Sequence, residues 1–158
     1  MDHTIAQLQQ SLNDLLEHLR PLGPDTQPLW GAFTPQHMVE HISGTLLISN
    51  GRFASPSDVP ESEWTQRKQF IYSQEPFPMG VVNPRVTKGT LRFSSYYEAL
   101  EKFWQAYDQY RVYWHEHPTS NLMHPMYGPL NREEWLRFHL KHMRHHLAQF
   151  GLVERVPS

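Results

Sequence analysis

NREEWLRFHLKHMRHHLAQFG, residues 131–151, has the features of a long amphipathic helix with histidines on its inner face. Asn131 is a favourable N-cap residue, and Gly151 is a favourable residue just beyond a helix end. At about 100° per residue, Leu and Met side chains form an apolar face, and the Lys and Arg side chains lie opposite it. One stripe along this face holds Trp135, His139, His142, His146 and Gln149. The segment therefore predicts a helix that turns several histidines towards its neighbours.

His142 and His146 lie one helical turn apart, along the edge of the apolar face, whereas His145 falls nearer the polar side. Burying an imidazole without a partner is costly, so two inward histidines need either a hydrogen-bond network or a metal ion. In the second predicted helix, His41 lies on an inward stripe with small neighbours. One histidine from one helix and an i, i+4 pair from another are the minimum for a three-ligand site with an open position.

Apolar residues at three- and four-residue steps predict three further long helices, over residues 4–20, 34–50 and 95–117. Thr34 and Pro35 give the second of these a favourable start. No alternating run is long enough to predict a strand. We therefore expect an all-α four-helix bundle, one domain spanning residues 1–158, with a long irregular crossover at residues 52–94 between the second and third helices. A short helix from Pro60 is expected inside this crossover.

The composition argues against a nucleic-acid-binding, membrane-spanning or secreted protein. The 158-residue chain has a formal net charge of −2 with its eleven histidines neutral, so binding to nucleic acid by phosphate neutralisation is not expected. Apolar runs are far shorter than the ~20 residues of a membrane span, and the N-terminus lacks the pattern of a secretory signal. The chain has no cysteine, which suits a cytoplasmic protein and leaves histidine and carboxylate as metal ligands.

Two stretches resemble one branch of the DinB/YfiT-like metalloenzyme superfamily. LWGAFTPQHMVEHISG (29–44) is similar to its W-G-x-[MF]-T-x-x-x-M-x-x-H signature. HPMYGPLNREEWLRFHLKHMRHHLAQFGL (124–152) is similar to its closing segment, H-P-x-[FY]-G followed by H-x-x-H-H-L-x-Q-F-G. The two motifs occur in the expected order, and the resemblance spans roughly residues 28 to 152.

The resemblance implies a four-helix bundle that binds one divalent ion, most often nickel or zinc, through three histidines. By position these are His41, His142 and His146, and His145 is not a ligand. His139 lies outside the motif but on the same stripe, which makes it a candidate substitute ligand. The superfamily includes thiol-dependent transferases and isomerases, and its members are often homodimers, which the aromatic surface of the third helix also favours.

Several other residues are candidates for the surroundings of the metal. Gln149 lies on the ligand stripe and is expected to contact a ligand from outside. His124 and Tyr127 either reach the mouth of the site or form a structured turn, and the turn is favoured. Glu40 is expected to be solvated, because it points ~100° away from its neighbour His41. The tryptophans are expected in the core or, less often, in a substrate pocket: Trp30, Trp114 and Trp135.

Three functions are consistent with these residues. The first is a metal-dependent transferase or hydrolase for a small organic substrate, with an external thiol because the chain has no cysteine. The second is a non-catalytic metal-binding or stress-related module. The third is a helical interaction protein whose histidines form a buried His–Gln–Tyr network that fixes helix register. Metal content separates the third from the first two.

Overall fold

The computed structural model describes residues 3–80 and 89–157. Within these ranges the chain is mostly helical, with five α-helices and one two-stranded antiparallel sheet. No helix there is both long enough and apolar enough to cross a membrane. The helices are α1 (His3–Glu17), α2 (Pro35–Ser49), α3 (Trp64–Tyr72), α4 (Tyr96–Glu116) and α5 (Arg132–Gln149), and the strands are β1 (Leu122–His124) and β2 (Gly128–Leu130).

Reciprocal side-chain caps fix the starts of α2 and α5. Thr34 Oγ1 accepts the backbone N–H of His37 at 3.2 Å, and His37 Nδ1 accepts the N–H of Thr34 at 3.3 Å. Asn131 and Glu134 exchange the equivalent bonds at 2.9 and 3.0 Å. Both predicted N-caps are therefore confirmed. Because the helical period is fixed, these caps also fix the direction in which residues further along each helix point.

The first helix is shorter than the predicted range of 4–20 and ends at Glu17. Tighter turns follow it, in which the N–H of Leu19 donates to the carbonyl of Leu16 and the N–H of Leu22 to the carbonyl of Leu19. Pro21 has no N–H to continue an α-helix. Leu19 and Leu22 are nevertheless buried, so the apolar pattern correctly predicted burial but not the helix end.

Packing brings α2 against α4 and α1 against α5, and α5 also contacts α2 and α3. The predicted aromatic seam of α4 is confirmed at four positions, while Leu100 at its start is only half-buried. The buried seam residues are Phe103, Tyr107, Tyr110 and Trp114. They pack in one core with the leucines of α1 and the inner face of α5.

The predicted crossover at 52–94 includes residues 81–88, which lie outside the described residues. The short helix expected from Pro60 is confirmed as a 3₁₀ turn, Glu61–Glu63, that leads into α3. Contacts to α5 hold α3 in place: the Tyr72 hydroxyl donates to Glu134 at 3.2 Å, and Lys141 Nζ donates to the Ser73 carbonyl at 3.0 Å. This part of the crossover is therefore packed onto the last helix.

The prediction that the chain has no strand is wrong for residues 122–130, where β1 and β2 form a hairpin. Each strand has three residues, too few for an alternating pattern to be recognisable. Tertiary contacts hold the hairpin instead. Trp135 Nε1 donates to the carbonyl of Leu122 at 3.2 Å, and Gly128 takes φ +78° beside the Trp64 ring.

Replacing Gly128 with Ala tests this hairpin. The substitution should lower the free energy of unfolding by about 2–5 kcal/mol, because a left-handed backbone with a Cβ and an overpacked contact with Trp64 are both unfavourable. Gly44→Ala in α2 is the matched control, since a Cβ there meets no atom within 4 Å and should stabilise the helix by up to ~1 kcal/mol. Equal urea midpoints for the two variants would contradict the account.

Candidate metal centre

Three histidines from two helices converge at one point. His41 comes from α2, and His142 and His146 come from successive turns of α5. One ring nitrogen from each lies within 4.8 Å of those of the other two, and the ring centroids are 4.7 to 4.8 Å apart. Among the described residues, this is the group of side chains that could hold a metal ion. The inward stripes predicted the juxtaposition.

The geometry and the donor set fit a divalent transition metal. His41 Nε2 and His142 Nε2 are 2.9 Å apart. In a tetrahedral site with metal–nitrogen bonds of ~2.1 Å, ligand nitrogens lie ~3.4 Å from one another. The His41–His142 pair is closer than this, and all three nitrogens stay within 4.8 Å of one another. Three imidazoles without thiolate or carboxylate suit ions such as zinc or nickel.

Burial keeps these imidazoles uncharged. It lowers the pKa of His41 to about 4, and neighbouring His145 adds to the shift. Burial likewise lowers the pKa values of His142 and His146 well below 6.5, and the other cluster histidines reinforce both shifts. Since a metal binds only neutral imidazole, the cluster has its lone pairs available at neutral pH.

Aromatic rings surround the cluster. Phe33 is stacked on His146 with centroids 5.8 Å apart, Phe138 is stacked on His142 at 5.1 Å, and Phe77 contacts His142 edge-on at 5.7 Å. His142 and His146 are only 7% and 8% exposed, whereas His41 is half-buried, so the accessible side lies next to His41 and Phe33. Sequence reasoning missed both Phe33 and Phe77. Phe33 could have been found from its place in the W-G-x-F-T motif, whereas Phe77 lies in a loop that carries no such signal.

A cavity adjoins the accessible side. Residues 24–28 and 31–35 line a volume of about 340 Å³, and Phe33 belongs both to this lining and to the wall of the histidine cluster. A wider groove of about 420 Å³ runs along α3, but it contains none of the cluster histidines. The first cavity contains no cluster histidine either, but it shares Phe33 with the wall of the cluster, which the groove along α3 does not.

Gln149 contacts a cluster histidine from outside, as the sequence predicted. Its Oε1 lies 3.0 Å from His146 Nδ1, and its Nε2 donates to the carbonyl of Trp30 at 3.0 Å. Trp30 is half-buried and contacts His145, while the other two candidate tryptophans, Trp114 and Trp135, are in the core. The Nδ1 of His142 is buried and has no hydrogen-bond partner of this kind in the described structure.

The remaining histidines of α5 point elsewhere. His139 is fully buried, and its Nε2 lies 2.8 Å from the hydroxyl of Ser49. Burial lowers the pKa of His139 to about 3. His145 packs between Trp30 and Phe77 and is not in the group of three. The structure thus places neither residue where His41, His142 and His146 converge.

His124 and Tyr127 form part of the hairpin. The N–H of Met126 donates to His124 Nδ1 at 3.0 Å, and the His124 ring packs against Phe138 with centroids 4.4 Å apart. Tyr127 packs on the same two rings. The structured turn favoured from the sequence is therefore present, and the ring of Phe138 lies between His124 and His142.

Glu40 is not solvated as predicted. Its carboxylate accepts the backbone N–H groups of Arg92 and Phe93 at 2.7 and 3.3 Å, and the side-chain amide of Gln36 at 3.0 Å. The two backbone donors come from the segment that leads into α4, whose position the sequence does not reveal. Glu40 therefore holds that segment against α2, directly next to His41 in the chain.

Comparisons with known proteins add a partial family match. Residues 94–152, from the start of α4 to just beyond α5, match the model of a family described as "Protein of unknown function (DUF1569)". The matched part contains His142 and His146 but not His41. Neither the curated proteins nor the solved structures give a significant match.

Because these histidines are neutral when the protein is folded, we expect the metal-free protein to lose stability in mild acid. Burial lowers the pKa of His124 and His139 to about 3 and that of His41 to about 4, against ~6.5 in the unfolded chain. Above about pH 6.5 these histidines are neutral in both the folded and the unfolded chain, so the free energy of unfolding is at its full value. It decreases as the pH falls towards the folded-state values, by up to ~1.4 kcal/mol per pH unit for each histidine.

Urea unfolding in the presence of a chelator, at pH 8, 7, 6 and 5, measures this loss. His124→Gln should make the decline shallower, since it removes one of the buried titrating groups. An unfolding free energy that stays constant from pH 8 to 5 would contradict the assignment of these imidazoles as neutral and buried.

Proposed function

We propose that this chain is a metalloprotein of the DinB/YfiT-like type, in which His41, His142 and His146 hold one divalent ion, zinc or nickel. The observation that carries the proposal is the convergence of three neutral imidazoles, two buried and one half-buried, with their ring nitrogens within 4.8 Å. The packing of α1 on α5 and of α2 on α4 supports a four-helix bundle as the scaffold. The partial family match does not reach His41, so the complete ligand set rests on the geometry and the two motifs.

The proposed activity is that of a metal-dependent transferase or hydrolase for a small organic substrate. When bound, a three-histidine metal supplies a Lewis acid with an open position for water, thiol or carbonyl oxygen. Phe33 and Phe138 pack on the ligand rings, and the cavity of residues 24–28 and 31–35 shares Phe33 with the wall of the cluster. Since the chain has no cysteine, transferase chemistry would use an external thiol.

A non-catalytic metal-binding module is the second candidate, and the position of Glu40 favours it. Glu40 directly precedes His41 in the chain, yet its carboxylate already accepts hydrogen bonds from the backbone of Arg92 and Phe93. It is therefore not free to act as a general base. The two candidate functions differ in whether an added small ligand can bind the metal: the enzyme requires an open coordination position, and the non-catalytic module does not.

We also propose that the protein is a homodimer and that the aromatic surface of α4 contributes to the interface. Tyr97 at the start of α4 is 66% exposed, and Val112 near its end is 55% exposed. Sedimentation that gives only an 18.7 kDa monomer at micromolar concentration would contradict this assembly.

Alanine substitution of each ligand tests the metal site. His41→Ala, His142→Ala and His146→Ala should each leave two ligands and lower zinc affinity by more than the ~10–100-fold typical of losing an outer partner. His145→Ala and His139→Ala are matched controls from the same helix and should retain the metal. Competition with a chelator measures the affinity, and elemental analysis of protein without a histidine tag measures the bound ion.

Zinc should also raise the melting temperature, and this effect should depend on pH. Metal binding holds the ligand pKa values below the unfolded ~6.5, so the stabilisation is present above that pH and is lost as the pH falls through the folded-state values. If His142→Ala kept full zinc-dependent stabilisation while His139→Ala or His145→Ala lost it, the ligand assignment would be wrong.

Cobalt substitution tests the open position. The visible spectrum of the cobalt-loaded protein should change when a small thiol such as cysteamine is added, with a new sulfur-to-cobalt charge-transfer band. A spectrum that does not respond to thiol, azide or pH would favour the non-catalytic module.

A further inference from the structure

Gln149 makes three hydrogen bonds that join the histidine cluster to a neighbouring loop. It is 6% exposed, and its side chain bridges His146 Nδ1 and the Trp30 carbonyl at 3.0 Å each. Its backbone carbonyl accepts the N–H of Leu29 at 2.7 Å. One residue of α5 is therefore bonded both to a proposed metal ligand and to the loop that precedes α2.

The bond to Trp30 fixes the protonation of His146. The carbonyl of Trp30 can only accept, so the Gln149 amide must turn its NH₂ towards Trp30 and its oxygen towards His146. An oxygen facing His146 Nδ1 requires a proton on that nitrogen. His146 is then the Nδ1–H tautomer, which leaves the lone pair of Nε2 for the cluster.

The loop residues bonded to Gln149 continue into the wall of the cluster. Gly31 has φ +76°, which favours glycine, and a Cβ there would lie 2.6 Å from Gln149 Nε2, so a larger residue would displace either the loop or the Gln149 amide. Two residues later, Phe33 is stacked on His146 and lines the adjoining cavity. The loop, the cavity wall and the ligand therefore meet at Gln149.

We propose that Gln149 is a positioning residue that couples metal binding at His146 to the docking of residues 28–33. The inference rests on the proposed function, since it assigns a role around that metal site. Coordination at Nε2 draws electron density from the imidazole and makes Nδ1–H a stronger donor to Gln149. The Gln149 amide in turn holds the Trp30 carbonyl, so metal binding tightens the loop that walls the cavity. By linkage, loosening the loop weakens metal binding by the same factor.

Three variants distinguish the bond from Gln149 to His146 from the bond from Gln149 to Trp30. Gln149→Leu removes both bonds. Gln149→Glu keeps an acceptor for His146 but cannot donate to the Trp30 carbonyl at neutral pH. Gly31→Ala strains the loop backbone and places a Cβ against Gln149 Nε2, so it disturbs the bond to Trp30 without replacing either Gln149 or His146. Gln105→Leu, on the exposed face of α4, is the control for replacing a glutamine by an apolar residue.

Two measurements are made on each full-length variant: zinc affinity by chelator competition, and hydrogen exchange of peptides covering residues 24–35 with and without zinc. In the wild-type protein and Gln105→Leu, zinc should slow exchange in this loop. Gln149→Leu should bind zinc 10–100-fold more weakly and show no zinc-dependent protection. Gln149→Glu should lose the protection, but its carboxylate is a stronger acceptor for His146 Nδ1–H and should offset the loss of the loop, so zinc affinity should stay near the wild-type value. Gly31→Ala should lose the protection and bind zinc at least ~5-fold more weakly.

The ring ¹⁵N shifts of His146 give a further readout that a purely structural role would not change. The Nδ1–H tautomer should dominate in the wild-type protein and in Gln149→Glu, and its dominance should be lost in Gln149→Leu. If Gln149→Leu stays folded, binds zinc within threefold of wild type and keeps the zinc-dependent protection, the coupling is wrong while the metal site stands. A wild-type protein that binds neither zinc nor nickel overturns the proposed function and the coupling together.

Discussion

The packing of three uncharged imidazoles between α2 and α5, with His142 and His146 buried and His41 half-buried, is the constraint on which the rest of the structure depends. Their pKa values are depressed chiefly because they are removed from water. Burying polar rings in this way is unfavourable unless their nitrogens find partners. The helix caps set the direction of the three side chains, the phenylalanine rings pack around them, and Gln149 contacts His146 from outside. A divalent ion would satisfy the inward nitrogens simultaneously, whereas hydrogen bonds among three neutral rings cannot.

Two polar residues near the cluster use their hydrogen bonds on neighbouring loops. Glu40 holds the backbone of Arg92 and Phe93, and Gln149 holds the backbone of Leu29 and Trp30. Each lies within three residues of a cluster histidine in the chain. Both loops are thus held by the helical turns that carry the histidines. Changes in the cluster and changes in these loops are expected to be coupled for that reason.

Much of this arrangement was predictable because it depends on local rules. N-caps, helical periodicity and the position of His41 relative to Thr34 gave the helices, their inner faces and the convergence of the three histidines. The hairpin was not predictable, since three-residue strands have no pattern and their contacts come from Trp135 and Trp64. Glu40 and His139 were also assigned incompletely. Their partners, Arg92 and Ser49, are distant in sequence, and only tertiary packing brings them together.

A crystal of the protein grown with zinc, measured at the zinc absorption edge, tests the central claim most directly. We predict one strong anomalous peak per chain, ~2.1 Å from a ring nitrogen of each of His41, His142 and His146. The Nδ1 of His146 should face Gln149, and the remaining coordination position should open towards Phe33. A peak on His145 or His139 would contradict the assignment of the ligands. The absence of any anomalous peak at the three histidines at saturating zinc would contradict the existence of the site.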